Sequence, residues 1–377
     1  GGALVGGFIF IAMIVMLVVT IVSRKLFAWQ VPGDVEIVQL GAALASAYFF
    51  AWCHLTRGEV RVDFLTNHLR QATISVLDIG TRRSIRTNGK PDAAVEMTNR
   101  AKPSSDEATM VLAAALPLAY KPEAKRVANI GFGSGLTTHA MLASPTVEVV
   151  DSIEIERMMI EGARLFDPYN RRAYHDPRSR IHIEDAKTFF ASHGTRYDII
   201  VSEPSNPWVS GVSSLFSEEF YQSMGRYLTD DGILLQWVQG YEINFELFAS
   251  IAKALGNHFG DYEMFTSNPG DVLIVATKAK KLPAMQDTLY RWPEMSRDLS
   301  AIGYRSFADL QVSRFGSRGA LEPLFRSGIY PANSDYFPMI DTRAAKARFM
   351  REQANELWSL SRLLVPFTAL FSPDSRY

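Results

Sequence analysis

Residues 127–135, Val-Ala-Asn-Ile-Gly-Phe-Gly-Ser-Gly, constrain the fold of this chain most, because an apolar run stops there at three glycines in alternate positions. A run with helical character follows at residues 136–142. Glycine adopts a positive φ at little cost and lets a ligand approach the backbone, and the amides that begin the helix point toward that ligand. The pattern predicts a strand, a tight turn and a helix, with Gly131, Gly133 and Gly135 as candidates for a ligand-binding loop. A glycine-rich turn that serves packing alone is the alternative.

Segments with strand and helix character alternate after the glycines. The predicted strands are residues 147–150, 180–184, 197–202 and 233–238, the predicted helices are residues 155–166 and 217–228, and a last strand at 271–277 pairs antiparallel with residues 262–265. This alternation predicts an α/β fold with a Rossmann-like, mostly parallel sheet. In such sheets, ligands bind at the carboxyl ends of the strands.

Acidic residues follow the predicted strands one after another. Glu154, beyond the second strand and about twenty residues past the glycines, can accept hydrogen bonds from both hydroxyls of a ribose. Asp185, beyond the third strand, can accept from an adenine amino group, and the Ala186 amide can donate to a ring nitrogen. Either carboxylate alone would suit a solvated helix cap, but their order along the sheet favours a nucleoside ligand. No P-loop lysine follows the glycines, which argues against a triphosphate.

Two apolar segments at the start predict a transmembrane hairpin over residues 1–68, with a buried pair of soluble helices as the alternative. Residues 3–22 carry no charge and as a helix would span roughly 30 Å, the thickness of a bilayer core. Residues 35–55 form the second segment, and Trp29 and Trp52 suit the two interfaces. More arginines follow the second segment than lie between the two. The positive-inside rule therefore predicts a multi-pass protein of the inner membrane, with the remaining chain in the cytoplasm.

The remaining chain divides into three predicted parts, which are a small β lead-in with a helix (69–125), an α/β catalytic domain (126–345) and a C-terminal helical tail (346–377). Residues 341–360 alternate charged and apolar side chains at helical spacing, which is typical of a surface helix.

The lead-in is too small to be stable alone. Residues 73–77 and 82–87 are predicted strands, and Asn88-Gly89 is a strong turn signal. A helix is predicted over residues 107–116, capped by Ser105 or Asp106 and ended by Pro117.

Composition excludes several classes of function. A net charge of −1 gives no global field for nucleic acid, and a single cysteine excludes a disulfide framework and a cysteine-cluster metal site. The seven histidines show no metal-ligand spacing, so no metal is expected. His175, His182 and His193 lie in polar stretches and are predicted to be solvated, and His139 is predicted at the surface.

Three stretches of the N-terminal region form a pattern of their own: Arg-Lys-Leu-Phe at 24–27, Val-Pro-Gly-Asp-Val-Glu at 31–36 and Thr-Arg-Gly-Glu-Val-Arg-Val-Asp-Phe-Leu at 56–65. They resemble the first half of the DctQ family, the small membrane subunits of TRAP (tripartite ATP-independent periplasmic) transporters. That family has four membrane helices, and the second pair is missing here. The resemblance implies the lipid bilayer and a TRAP large permease subunit as partners.

A second pattern runs through the α/β domain: Ile-Gly-Phe-Gly-Ser-Gly at 130–135, Ile-Glu at 153–154, Glu-Asp-Ala at 184–186, Tyr-Asp-Ile-Ile-Val at 197–201, Glu-Pro-Ser-Asn-Pro at 203–207, Leu-Phe-Ser-Glu-Glu-Phe-Tyr at 215–221 and Asn-Ser-Asp-Tyr-Phe-Pro at 333–338. Residues 80–345 thereby resemble the spermidine/spermine synthases (polyamine aminopropyltransferases), a branch of the class I S-adenosylmethionine-dependent methyltransferase fold. The resemblance implies a displacement at the carbon beside a sulfonium, with S-adenosylmethionine or its decarboxylated form as co-substrate.

The resemblance also implies roles for individual residues. Glu203 stands at the catalytic aspartate position, where a carboxylate orients the attacking amine and acts as its base, and Asn206 replaces the second aspartate of that loop. The nucleoside would be held by Gly131, Gly133, Ser134, Gly135, Glu154, Asp185 and Ala186.

Several positions depart from the family. Ser134 replaces an aspartate of the glycine loop, and Thr109 and Met110 replace a tyrosine and a glutamine before the core helix. The loss of acids lowers the attraction for a polycation, so the nucleoside half of the site is kept while the polyamine half is altered. The aromatic residues Trp208, Trp237 and Tyr241 are candidates to line the acceptor side, with ordinary packing as the alternative.

The leading functional prediction is a membrane-tethered transferase of spermidine synthase type that acts on a small amine or polyamine. Ser134 favours a first alternative, an S-adenosylmethionine-dependent methyltransferase acting on a small amine. The second alternative is a TRAP transporter-associated, non-catalytic nucleoside-binding subunit. The sequence leaves a homodimer open.

Overall fold

The computed structural model describes residues 2–27, 37–47, 73–99, 102–209 and 211–357, and it divides into two compact units, Gly1–Gln71 and Ala72–Tyr377. The first unit contains helices α1 (Gly2–Phe27) and α2 (Ile37–Ala47). Among the described helices, α1 alone is long and apolar enough to cross a membrane, with a mean hydropathy of 2.6 over Gly6–Ser23.

The predicted hairpin is therefore supported for one helix. The described part of α2 is shorter than a membrane span, and the rest of the second predicted segment lies outside the described residues. The stretches 31–36 and 56–65, which carry most of the DctQ resemblance, also lie outside them.

The second unit begins with a three-stranded antiparallel sheet formed by β1 (Ile74–Ile79), β2 (Arg82–Thr87) and β3 (Lys90–Glu96). The sequence predicts the first two strands and the turn, where Asn88 and Gly89 have φ values of 52° and 82°. It does not predict β3. This strand begins with Lys-Pro-Asp, and these residue types are depleted in strands.

Helix α3 (Ser105–Tyr120) follows the small sheet and is buried along most of its length. Its N-cap is Ser104, whereas the sequence predicts Ser105 or Asp106. The Ser104 side chain accepts from the Glu107 amide, and the Ser104 amide donates to Oε1 of Glu107 at 2.9 Å. Only with Ser104 as N-cap does a glutamate stand at the third helical position, where it completes a reciprocal capping box.

Pro117 lies inside α3, although the sequence predicts that it ends the helix. A proline removes one helical hydrogen bond, but burial of the turn beyond it outweighs this loss. Leu118 and Ala119 are fully buried, and the Lys121 amide donates to the Pro117 carbonyl at 2.9 Å.

A second, eight-stranded sheet forms the centre of the domain. Its strands are β4 (Arg126–Ile130), β5 (Val149–Glu154), β6 (Ser179–Ile183), β7 (Tyr197–Ser202), β8 (Leu228–Gln239), β9 (Asp261–Asn268), β10 (Asp271–Thr277) and β11 (Arg314–Ser317). They lie in the order β11-β9-β10-β8-β7-β4-β5-β6. Strands β4 to β8 pair in parallel, and β10 joins β8 and β9 antiparallel. The sequence predicts the pairing of β10 with β9, but it takes β10 as the last strand and misses β11.

The strand order reverses between β4 and β7. The chain moves outward from β4 through β5 to β6 and then returns to place β7 on the other side of β4. In open α/β sheets such a reversal leaves a crevice at the carboxyl ends of the two strands, where ligands bind. The fold therefore places the segments after Ile130 and after Ser202 at one location.

Helices cover both faces of the sheet. They are α4 (Leu136–Met141), α5 (Arg157–Ala163), α6 (Arg171–His175), α7 (Ala186–His193), α8 (Glu218–Tyr227), α9 (Phe245–Gly256), α10 (Pro293–Ala301), α11 (Phe307–Val312), α12 (Arg318–Ser327) and α13 (Met339–Phe349), with short 3-10 helices at Arg164–Phe166, Val212–Phe216 and Asp287–Arg291. Two hydrophobic cores result. One contains α3 and α4, and the other contains α8 and α9.

Other predicted boundaries are also wrong, for example the start of β8, which lies at Leu228 and not at residue 233. The second predicted strand stops at Val150, but β5 continues to Glu154 because it pairs with both β4 and β6. The predicted surface helix over 341–360 is α13, which ends at Phe349.

Candidate functional site

The glycine loop after β4 and the loop after β7 touch through their backbones. The Glu203 amide donates to the Ile130 carbonyl at 2.9 Å. Gly131 has a φ of 88°, and a Cβ built there would overlap the carbonyl oxygen of Glu203. Glycine is thus required at this position both by the backbone conformation and by the close approach of the second loop.

The Glu203 side chain reaches the first turn of α4. Oγ1 of Thr137 donates to Oε2 of Glu203 at 2.6 Å. Burial raises the pKa of Glu203 to about 8; the Thr137 hydrogen bond opposes this rise and the charge of Asp271 adds to it. A carboxyl whose pKa lies near neutral pH suits general acid–base chemistry.

Glu154 ends β5 and its carboxylate is bound by backbone amides on both sides. Oε2 accepts from the Phe132 amide at 3.0 Å, and Oε1 accepts from the Glu156 amide at 2.9 Å. Burial raises the pKa of Glu154, and the two amide bonds oppose that rise. This buried carboxylate at the end of the second strand stands directly beside the glycine loop, as the sequence predicts.

Asp185 and Ala186 follow the end of β6 and begin α7. The Glu184 amide donates to the Glu154 carbonyl at 3.1 Å, which fixes this segment against the end of β5. Oδ1 of Asp185 accepts from the Thr188 amide at 3.0 Å, so Asp185 is the N-cap of α7. Asp185 therefore acts as a helix cap, the alternative role considered for it, and it lies at the same edge of the sheet as Glu154.

Ser134 is fully buried and its hydroxyl donates to the Met110 sulfur at 3.1 Å. This bond turns the Ser134 side chain toward α3. Asn206 is also buried, and its Nδ2 donates to the Tyr241 hydroxyl at 3.4 Å. The second loop position and one candidate acceptor-side aromatic residue are therefore in contact.

Asp271, at the start of β10, is a buried acid that the sequence does not single out as a site residue. Thr109 donates to its Oδ2 at 2.8 Å, Asn268 donates to the same oxygen at 2.6 Å, and the Trp237 indole donates to Oδ1 at 3.0 Å. Two of its donors, Thr109 and Trp237, are distant in sequence, so no local pattern signals it. Thr109 and Trp237, both candidate site positions, meet at this carboxylate.

Trp208, the remaining aromatic candidate, is partly exposed. The Arg348 guanidinium lies over its ring at 5.2 Å from the centroid, and Arg348 also pairs with Glu242 at 3.7 Å. These contacts place α13 beside the loop after β7.

His175 and His193 are exposed, as the sequence predicts, whereas His182 is partly buried. Nε2 of His182 lies 2.7 Å from Oδ1 of Asp151, and the His182 and His193 rings both pack on Phe189. His139 is half-buried, and its Nδ1 accepts from the Arg172 amide at 3.0 Å. Among the described residues, no group of three or more His, Cys, Asp or Glu side chains could hold a metal ion.

Comparison with known proteins finds one family that matches part of the second unit. The family described as "Spermine/spermidine synthase domain" matches residues 109–270. A polyamine aminopropyltransferase of Alkaliphilus oremlandii is 31% identical over 140 residues, which cover 37% of this chain and 47% of the relative. Putrescine N-methyltransferase 2 of Nicotiana tabacum is 29% identical over 137 residues, covering 36% of this chain and 38% of the relative.

The chain spans less than half the length of these curated relatives. Among solved structures, the spermidine synthase of Thermotoga maritima aligns with 56% of this chain and 70% of its own, at 20% identity and a TM-score of 0.46. Both of these curated relatives are transferases by name. Residues 109–270 of this chain thus match the spermine/spermidine synthase domain family, and the part of the chain that they span folds around a mostly parallel sheet.

Proposed function

We propose that this chain is a transferase of spermidine synthase type that moves an aminopropyl group from decarboxylated S-adenosylmethionine to an amine. The observation that carries the proposal is the Glu203 carboxyl. Glu203 lies at the reversal of strand order, its backbone contacts the glycine loop, and burial raises the pKa of its carboxyl to about 8. A base of that pKa is matched to an amine that must lose a proton near neutral pH.

The residues around the glycine loop fit a nucleoside co-substrate. Glu154 presents a buried carboxylate whose oxygens each retain acceptor capacity beyond the one amide they bind. Gly133 has a φ of 52°, and a Cβ built there would meet only Ala93 within 4 Å, so the backbone is open to a ligand. Glu154 would bind the ribose hydroxyls, and Asp185 and Ala186 would bind the adenine edge.

The co-substrate supplies an alkyl carbon activated by a positively charged sulfur. Glu203 takes the proton from the acceptor ammonium. The freed nitrogen lone pair forms the new N–C bond while the C–S bond breaks, and its electron pair leaves with the sulfur as methylthioadenosine. Thr137 holds the Glu203 carboxylate in one orientation during this proton transfer.

A methyltransferase acting on a small amine is the second candidate. The Ser134 hydroxyl binds Met110, so the glycine loop offers no carboxylate at that position to the amine of the decarboxylated co-substrate. The similarity to putrescine N-methyltransferase 2 of Nicotiana tabacum points the same way. The bound co-substrate would then be intact S-adenosylmethionine.

The test is calorimetry and turnover on the full chain in detergent. Methylthioadenosine, decarboxylated S-adenosylmethionine and S-adenosylmethionine are titrated separately, and product is then sought with 1,4-diaminobutane. Tighter binding of the decarboxylated form and release of methylthioadenosine support the proposal. Preference for the intact form, with a methylated amine as product, favours the methyltransferase. Absence of binding by all three overturns both.

We propose further that α1 tethers the domain to the inner membrane, with the domain in the cytoplasm. Its apolar stretch Gly6–Ser23 and the arginines that follow the second apolar segment support this. Membrane fractionation of the full chain tests it, since recovery in the soluble fraction would overturn the tether. Co-purification with a TRAP large permease subunit would favour the non-catalytic alternative.

A further inference from the structure

Asp92 occupies an irregular position in β3. Across the β2–β3 pair, Ile85 faces Ala93 and Arg86 faces Pro91, so Asp92 is an extra residue with no partner on β2. Such β-bulges re-aim a side chain and are frequent next to active sites. The Asp92 carboxyl is therefore directed by the bulge and not by the regular alternation of the strand.

The bulge places Asp92 between the two loops of the site. Oδ1 of Asp92 accepts from the Ser205 hydroxyl at 2.9 Å, and Ser205 lies two residues beyond Glu203. The next residue, Ala93, lies 3.8 Å from a Cβ built on Gly133. Burial is the main cause that raises the pKa of Glu154, and the charge of Asp92 adds a smaller rise.

The second oxygen of Asp92 has no hydrogen-bond donor. The side chain is 10% exposed, and its Oδ2 is buried without a partner among the residues that the structure describes. Buried carboxylate oxygens are nearly always hydrogen-bonded, and an exception calls for an explanation. A donor supplied by a ligand is such an explanation.

Lys90 shows which donor fits. Its ammonium lies 3.2 Å from Oδ1 of Asp92 and 3.2 Å from the Ser205 hydroxyl. Only 16% of the Lys90 side chain is exposed, and burial lowers its pKa while Asp92 opposes that change. The Asp92–Ser205 pair thus already holds one alkylammonium, which comes from the protein itself.

We propose that Asp92 determines specificity by binding an alkylammonium of the substrate through Oδ2, and that Lys90 competes with it by neutralising the same carboxyl at Oδ1. The proposal rests on the proposed function. The ammonium has two possible sources, the aminopropyl amine of the co-substrate and the acceptor amine. Asp92 supplies, from the small sheet, the carboxylate that Ser134 does not supply from the glycine loop.

The proposal predicts opposite effects for two neighbouring substitutions. Asp92→Asn removes the carboxylate and weakens ammonium binding by about tenfold or more, as expected when one partner of a buried charge pair is lost. Lys90→Met removes the internal competitor at similar side-chain length and strengthens ammonium binding. A purely structural ion pair would give two variants that change in the same direction.

The experiment is calorimetry on the full chain in detergent, with methylthioadenosine and decarboxylated S-adenosylmethionine as probes. The two compounds share the nucleoside, but only the second carries an ammonium. We expect Asp92→Asn to lose affinity for the second alone and Lys90→Met to gain it. If instead the affinity is unchanged and the KM for 1,4-diaminobutane moves in these opposite directions, Asp92 binds the acceptor.

The control is Asp78→Asn, which removes another carboxylate of the small sheet, one paired with Arg83. It should leave both affinities and the KM unchanged. The proposal is overturned if Asp92→Asn and Lys90→Met change the affinity or the KM in the same direction, or if neither variant changes either quantity. It is also overturned if Asp92→Asn weakens the binding of methylthioadenosine as much as that of decarboxylated S-adenosylmethionine. Failure of the wild type to bind methylthioadenosine would instead overturn the proposed function.

Discussion

Thr137 donates a hydrogen bond of 2.6 Å to the carboxyl of Glu203, which joins the first turn after the glycine loop to the loop after β7. A hydroxyl donor favours the ionised carboxylate, whereas burial favours the protonated acid. Burial is the larger effect here, and the pKa of Glu203 is about 8. The balance between the two sets the fraction of enzyme that holds a base at neutral pH.

Removal of the Thr137 hydroxyl should shift the pH dependence upward. Thr137→Val deletes the interaction that lowers the pKa of Glu203, so kcat/KM should rise with pH through a midpoint above that of the wild type. The measurement is the pH profile of kcat/KM. Thr138→Val is the matched control, because the Thr138 hydroxyl pairs with Ser152 at 2.7 Å, away from Glu203. An unmoved midpoint in Thr137→Val would contradict the assignment of Glu203 as base.

Asp271→Asn should move the same midpoint in the opposite direction. The negative charge of Asp271 raises the pKa of Glu203, after burial, and asparagine removes that charge. The variant should also be less stable, because an amide cannot accept from Thr109, Asn268 and Trp237 together. A midpoint that rises would show that the charge of Asp271 does not reach Glu203.

Glu203→Gln should lose turnover by about 100- to 10,000-fold, the usual contribution of a general base. Binding of methylthioadenosine should persist, because glutamine keeps the size of the side chain and the nucleoside residues are untouched. Calorimetry and product release measure the two effects separately. Retention of turnover would remove Glu203 from the chemistry.

The thermal stability of Glu203→Gln should depend less on alkaline pH than that of the wild type. A carboxyl whose pKa is raised in the folded state binds more protons there than in the unfolded chain. Its contribution to stability is present below the unfolded pKa and is lost as pH rises toward about 8. The fall in Tm from about pH 5 to about pH 9 should therefore be smaller for Glu203→Gln than for the wild type. An equal fall would argue against a raised pKa.

Gly131→Ala should destabilise the protein more than Gly80→Ala does. Both glycines have a positive φ, and that strain alone costs about 1–2 kcal/mol for an alanine. A Cβ on Gly80 would meet nothing within 4 Å, whereas one on Gly131 would overlap the Glu203 carbonyl. Chemical denaturation of both variants measures the difference. Equal losses of stability in the two variants would mean that the glycine loop and the loop after β7 can separate without an energetic penalty.

The sequence predicts the site where the signal is local. Gly131, Glu154 and Glu203 each follow an apolar run that becomes a parallel strand, and the βαβ order alone brings such strand ends together. The small sheet is different, because Lys90, Pro91 and Asp92 show no strand periodicity. Their position beside Ser205 arises from a bulge that exists only once β2 and β3 pair.

Asp271 escapes sequence reasoning for a related reason. A single acid at the start of a strand is unremarkable, and its importance comes from donors at positions 109, 237 and 268 that fold onto it. Ser134 is predicted in the correct loop, but the direction of its hydroxyl depends on Met110 of α3. Side-chain direction follows from packing between elements, which periodicity does not encode.

The backbone contact between Gly131 and Glu203 fixes the glycine loop and the loop after β7 relative to each other. The separation between the glycine loop and the backbone of Glu203 is set by backbone atoms and not by side chains on the acceptor side. Exchanges at positions such as Thr109 and Asn206 can therefore accumulate without altering the spacing of these two backbones. Under the proposed function, a domain built in this way can adopt a new amine while the distance between the two loops stays the same.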